Sequence, residues 1–188
     1  MPTLQIIIAS TRPGRIGLPI GQWMHQRAAE HDGFDAELID LAEVNLPFLD
    51  EPHHPRAQKY TQQHTLDWSA TINRGDAFVF VTPEYNFGFP ATLKNAIDFL
   101  WNEWAGKPAG ILSYGGMSGG VRSAQMLRPV LGSVHLAAVP EAITIPMAGS
   151  LITDGVFHPT DPVTASATAM LDSLTRWHPA MSGMRQPA

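Results

Sequence analysis

Short β-branched runs alternate with longer amphipathic stretches along the chain. Leu4-Gln5-Ile6-Ile7-Ile8-Ala9, bounded by Ser10 and Pro13, predicts a buried strand. Ile16, Ile20, Trp23, Met24 and Ala28 then recur at helical spacing, and Gly33 ends that segment. Ala36 to Leu41 predicts a second strand, followed by a proline-rich loop from Pro47 to Pro55 and a weakly periodic polar helix over 57–73. Ala77-Phe78-Val79-Phe80-Val81 is the clearest buried strand. After it Leu93, Ala96, Ile97, Leu100, Trp101 and Trp104 trace one helix face. Ala109 to Tyr114 predicts a fourth strand, halted by Gly115-Gly116. Ala124, Leu127, Leu131 and Val134 mark a helix, and Ala142 to Ile145 a fifth strand. A closing helix carries Val163, Ala167, Met170, Leu171 and Leu174, with Asp161 as its cap and Pro162 in first position.

Strands that are continuous apolar runs, each followed by a helix, predict a parallel sheet covered on both faces. Right-handed crossovers favour the order 2-1-3-4-5, so the expected fold class is α/β: a flavodoxin-like three-layer sandwich with a five-stranded parallel sheet. Residues 1–188 suit a single domain, with 44% hydrophobic and 15% charged residues. A net charge of −5 speaks against nucleic acid or an anionic membrane as partner. Without cysteine, thiolate metal sites, disulfides and cysteine nucleophiles are excluded. The start Met1-Pro2-Thr3-Leu4 has no signal-peptide pattern and no run approaches a membrane span, so a cytoplasmic protein is expected.

Ligands of such a sheet bind beyond the carboxyl ends of its strands, where three unusual loops are expected. Ser10-Thr11-Arg12-Pro13-Gly14-Arg15-Ile16-Gly17 joins a strand to a helix start and offers hydroxyls, guanidiniums and backbone donors suited to a phosphate monoester. It is neither a P-loop nor a Gly-x-Gly-x-x-Gly turn. Thr82 to Pro90, with Pro83, Glu84, Tyr85 and Asn86 at its head, mixes aromatic faces with backbone amides free to donate, which suits a flat heterocycle with polar edges. Tyr114-Gly115-Gly116-Met117-Ser118-Gly119-Gly120, after the fourth strand, permits close backbone approach to a ligand. Each loop alone also has a plain structural account: a helix cap with solvated arginines, a turn with Pro90 opening a helix, a flexible connection. One shared site explains all three together.

Three stretches resemble the NAD(P)H-dependent FMN reductase family, which includes quinone, azo-dye and chromate reductases. They are Ser10 to Arg15, Pro83-Glu84-Tyr85-Asn86 with Leu93 to Asp98, and Trp104-Ala105-Gly106-Lys107-Pro108 leading to Gly115-Gly116. The resemblance implies non-covalent FMN, NADPH or NADH as electron donor, and a homodimer or dimer of dimers (a homotetramer). It places Ser10, Thr11, Arg12, Arg15, Ile16 and Gly17 at the FMN phosphate. Pro83, Glu84, Tyr85 and Asn86 would lie along the isoalloxazine, with Gly115, Gly116, Met117, Ser118 and Gly119 on its other side. Many relatives carry serine where this chain has Ile16-Gly17, which shifts phosphate binding toward Arg15 and the backbone. Phe87 stands where many have a small or polar residue, narrowing the expected substrate site.

The implied function is two-electron transfer from NAD(P)H, in ping-pong order, to a small acceptor such as a quinone, azo dye, chromate or free flavin. No catalytic side chain is expected. A flavodoxin-type electron carrier and a non-redox nucleotide-binding regulatory domain are the alternatives. His53, His54 and His64 near Asp50 and Glu51 raise the question of a metal, but adjacent histidines in a proline-rich loop rarely converge, and none is expected. Trp101 and Trp104 suit core or dimer contacts, and Ser118 and Ser123 lack a His-Asp partnership.

Overall fold

The computed structural model describes residues 1–183; residues 184–188 of the expected 1–188 domain lie outside the described residues. In chain order the elements are β1 (Thr3–Ile8), α1 (Gly17–Ala29), β2 (Asp35–Asp40), α2 (Leu41–Val44), α3 (Gln63–Arg74), β3 (Ala77–Pro83) and α4 (Ala91–Asp98). There follow β4 (Pro108–Tyr114), α5 (Val121–Ser133), β5 (Ala137–Ile145), β6 (Ile152–Thr153), β7 (Val156–Phe157) and α6 (Asp161–Ser182).

The main sheet has five parallel strands in the order β2-β1-β3-β4-β5, as the pattern predicted. Successive residues of one strand face opposite layers. Ile6, Val79 and Leu112 pack with Ile20 and Met24 of α1 and Met170 and Leu174 of α6. Ile7, Phe78 and Phe80 pack with Trp68 and Ile72 of α3, Leu93 and Ile97 of α4, and Leu127 and Leu131 of α5. The second layer holds the bulkier rings: Trp104 is fully buried, edge-on to Phe78 at 5.0 Å, and donates its indole N–H to the Ile97 carbonyl at 3.1 Å. Burying such a ring stabilises the fold by roughly 2–3 kcal/mol. Among the described residues, no helix is long and apolar enough to cross a membrane.

Several boundaries differ from expectation for identifiable reasons. The polar helix starts at Gln63, because Glu51 accepts the Thr61 and Gln62 N–H groups and holds the chain extended just before it. α4 stops at Asp98; Leu100 and Trp104 reach the same face through single tight turns. β5 begins five residues early, passing Pro140 through an irregularity that an edge strand tolerates. Thr160, one residue before the expected cap, is the N-cap of α6, which runs on to Ser182. The β6–β7 hairpin was not among the expected elements; its two-residue turn is Asp154-Gly155, with positive φ angles of 51° and 76°.

Candidate functional site

Ser10 to Ile16 carry the chain from the edge of β1 to the start of α1. The Arg15 N–H donates to the Arg12 carbonyl at 3.1 Å, closing a turn that contains Gly14 at φ 72°. α1 has no side-chain cap, since Ile16 stands at the N-cap. Pro19 in its first turn has no N–H, so Ile16, Gly17 and Leu18 are left to present donors at this end. An uncapped helix start with its positive dipole end suits an anion. Arg12 is exposed and makes no ion pair among the described residues. Arg15 is instead bound by Asp40, the last residue of β2, and its buried Nε has no hydrogen-bond partner. The loop's unopposed positive charge is therefore that of Arg12. Ser10 is fully buried, its Oγ 2.7 Å from the Tyr85 hydroxyl.

The loop after β3 departs from expectation in its backbone. The Glu84 N–H donates to the Tyr114 carbonyl at 3.2 Å, and the Tyr85 N–H to the Gly88 carbonyl at 2.8 Å. Those two amides are engaged rather than free for a heterocycle. The Pro83 carbonyl is likewise engaged, accepting from the Ser123 hydroxyl at 2.8 Å. The cause is a two-residue reversal in which Asn86 (φ 49°) and Phe87 (φ 70°) are both left-handed. That conformation strains a bulky side chain. Phe87 is exposed, with the Arg122 guanidinium 4.2 Å from its ring centroid. Arg122 also pairs with Glu84, whose carboxylate accepts the Arg122 backbone N–H at 3.1 Å. Burial pushes the Glu84 carboxyl up, but Arg122 and the Ser118 hydroxyl outweigh it and hold it below the ordinary carboxylate range. Glu84 thus ties the loop after β3 to the start of α5 as an ionised clamp.

The glycine loop after β4 is shaped mainly by its own surroundings. A Cβ on Gly119 would lie 2.5 Å from the Thr144 methyl, and one on Gly120 2.8 Å from the Tyr114 backbone. The Gly115 and Gly116 carbonyls accept from Ala148 at 3.0 Å and Met147 at 2.8 Å, so the segment after β5 buttresses the loop. Gly116 alone of these has open space before it, beside the exposed Met117.

The three loops converge. One open cavity of about 240 Å³ is lined by Ser10, Arg12, Gly14, Arg15 and Ile16 from the first, Pro83, Glu84 and Tyr85 from the second, and Tyr114 and Gly115 from the third. Thr11 faces a separate cavity of about 280 Å³ with Leu41, Asn45, Thr92 and Asn95. Gly17 is outside the lining of the first cavity, against the hydroxyl of Tyr114, which is in it. Asn86, Gly116, Met117, Ser118 and Gly119 are outside its lining. Asp40 and Arg122 shape the site without belonging to any of the three loops read from sequence, and only its place at the end of β2 could have marked Asp40; Tyr114, at the head of the glycine loop, adds to the lining. Asn95, within the Leu-Lys-Asn signature, clamps the proline-rich loop by donating to the Pro47 carbonyl at 2.7 Å and accepting the Leu49 N–H at 3.0 Å.

The residues fit a phosphorylated flavin on this structure's own terms: an uncapped helix start, an open glycine and, among the described residues, an arginine with no ion pair and a buried guanidinium nitrogen without partner. Two of the histidines near the proline-rich loop have partners of their own. His64 Nε2 lies 2.8 Å from Asp50, and His54 Nδ1 accepts the Arg56 N–H at 3.2 Å. Among the described residues no cluster of three or more metal-ligating side chains occurs.

Comparison with known proteins identifies the family and the fold. The NADPH-dependent FMN reductase family matches residues 2–150. An NAD(P)H-dependent FMN reductase of Schizosaccharomyces pombe is 39% identical over 160 residues, 84% of this chain and 80% of the relative. An NADPH:quinone oxidoreductase of Arabidopsis thaliana is 48% identical over 118 residues, 58% of this chain and 56% of the relative. In fold, the chain is similar to FerB, a flavoenzyme NAD(P)H:(acceptor) oxidoreductase from Paracoccus denitrificans, with a TM-score of 0.72 at 23% identity, covering 96% of this chain and 99% of that one. With the match spanning most of its length, the chain belongs to the NADPH-dependent FMN reductase family, whose members are NAD(P)H-using flavin oxidoreductases.

Proposed function

We propose that this oxidoreductase holds FMN, non-covalently, across the cavity at the carboxyl edge of its sheet, and that residues 1–188 form one domain serving that site. Ser10, Arg12 and the N–H groups of Ile16, Gly17 and Leu18 hold the phosphate, flanked by Thr11 and Arg15. Pro83, Glu84, Tyr85 and Asn86 lie along the isoalloxazine, and Gly115 to Gly119 cover its other side. When bound, FMN supplies two-electron chemistry, taken from NAD(P)H and passed in ping-pong order to a small acceptor. The chain's own part is to bind and orient: it needs no nucleophile, and the Glu84–Arg122 clamp fixes the two ring-side loops relative to each other. Quinones are the first acceptors to test, given the Arabidopsis relative's name, followed by azo dyes, chromate and free flavin.

The observation that carries this reading is the convergence of three strand-end loops on one cavity beside an uncapped helix start. Anaerobic mixing of the FMN-loaded protein with NADPH or NADH tests it, with bleaching of the flavin's visible band as the expected result. A flavin that stays oxidised with both donors contradicts the reductase reading and returns the site to an electron carrier. A protein that retains no FMN leaves only a non-redox nucleotide module. The reading further includes a cytoplasmic setting, where NAD(P)H is at hand, and a homodimer or dimer of dimers. Its support is the family likeness, and a monomer in analytical ultracentrifugation counts against it.

A further inference from the structure

The Tyr114 ring is the last side chain of β4, almost wholly buried, yet it lines the cavity that also holds Ser10 and Arg12. Its hydroxyl ends where the side chain of residue 17 would begin: a Cβ on Gly17 would collide with the Tyr114 oxygen. Gly17 opens α1. A strand residue has thus brought a hydroxyl to the point from which a helix residue would otherwise offer one. We propose that Tyr114 is a phosphate-binding residue of this chain, donating its phenolic proton to the FMN phosphate at the start of α1. This inference rests on the FMN reading above and adds to it a side chain that binds the phosphate.

The local chemistry supports the assignment. Three hydroxyls, of Ser10, Tyr85 and Tyr114, meet at the uncapped start of α1. Each carries one proton to give. Ser10 and Tyr85 share one between them across 2.7 Å. Burial, and then the neighbouring Tyr85, push the Tyr114 pKa up; Ser10 and the positive Arg15 pull only partly the other way. Tyr114 therefore keeps its proton at any physiological pH and acts as a donor, the role an anion asks of it. Asp40 holds Arg15 alongside, so the cradle's second charge is fixed while Arg12 is left to meet the ligand.

The test is a pair of titrations, FMN and riboflavin, on the full chain and its variants, followed by flavin fluorescence. Tyr114→Phe keeps the ring and removes only the hydroxyl. Its FMN affinity is expected to fall roughly tenfold or more, with riboflavin affinity unchanged, because only FMN has the phosphate. Gly17→Ser in the Tyr114→Phe background, where the colliding oxygen is gone, is expected to recover most of the lost FMN affinity. Gly17→Ser alone sets Cβ against the Tyr114 oxygen and is expected to weaken FMN as well. Retained riboflavin binding shows that each variant is folded. Equal FMN affinity in Tyr114→Phe and the unmutated chain overturns the proposal, and so does an equal loss for both ligands, which would make the hydroxyl a packing group. An unmutated chain that binds neither flavin instead overturns the FMN reading itself, a distinct outcome.

Discussion

The loops after β1 and β4 both lead from a strand into a helix at the same sheet edge, and both contain glycine. In the first, the helix has no cap, Arg12 has no ion pair among the described residues, and a buried arginine nitrogen has no partner. In the second, Gly119 and Gly120 press against Thr144 and the Tyr114 backbone, while the Gly115 and Gly116 carbonyls are bound by the chain after β5. Each loop also has one glycine facing open space, Gly14 and Gly116, and glycines pressed against the protein, Gly17 in the first and Gly119 and Gly120 in the second. Donors left without partners locate a ligand better than glycines do, because an unpaired polar group beside a cavity has a free-energy cost that only a ligand or water removes.

This contrast can be broken from either side. The largest expected effect is on folding. Gly120→Ala puts a Cβ against the Tyr114 backbone at φ 82° and is expected to cost about 2–3 kcal/mol, read from urea unfolding. Gly116→Ala meets nothing within 4 Å and is expected to change stability by less than about 0.5 kcal/mol, while lowering FMN affinity. If Gly120→Ala leaves stability unaltered, its packing role is wrong. Next, Arg12→Ala should weaken FMN by more than tenfold, about 1.4 kcal/mol, without moving the thermal midpoint of the FMN-free chain. An unchanged dissociation constant for that variant removes Arg12 from the phosphate site.

A smaller effect is expected at Phe87. Phe87→Asn relieves a left-handed aromatic residue but gives up the Arg122 contact, for a net gain near 0.5–1 kcal/mol in the urea midpoint series. A loss of stability would show that the strain is outweighed by the ring's contacts. The smallest concerns acid. Burial alone would raise Glu51, yet the N–H groups of Gln62 and Thr61 bring its carboxyl down to about 2 from an ordinary 4.5. Because the folded value is the lower one, this stabilisation is full above about 4.5 and is lost as pH falls through about 2. Glu51→Gln should therefore narrow its deficit against the unmutated chain across that window, as followed by thermal midpoints, whereas a constant gap would argue against the ion's role.

Much of this was legible in the sequence. Continuous apolar runs such as Phe78 to Val81 declare a two-sided buried strand, and their alternation with helical periods leaves one common topology. The three loops were legible because strand ends can be located from those runs. What was not legible depends on contacts distant in sequence. The engagement of Arg15 by Asp40, the Glu84–Arg122 clamp and the approach of Tyr114 to Gly17 each join residues brought together only by the sheet order. The left-handed pair Asn86-Phe87 also hid the engaged amides, since phenylalanine does not signal a turn.

The most direct measurement is hydrogen exchange at the individual amides of Ile16, Gly17 and Leu18, with and without saturating FMN. Slowed exchange at those amides with FMN, and little change with riboflavin, is the predicted result. Exchange there that FMN does not alter, while the protein demonstrably holds the flavin, would place the phosphate elsewhere and contradict the account.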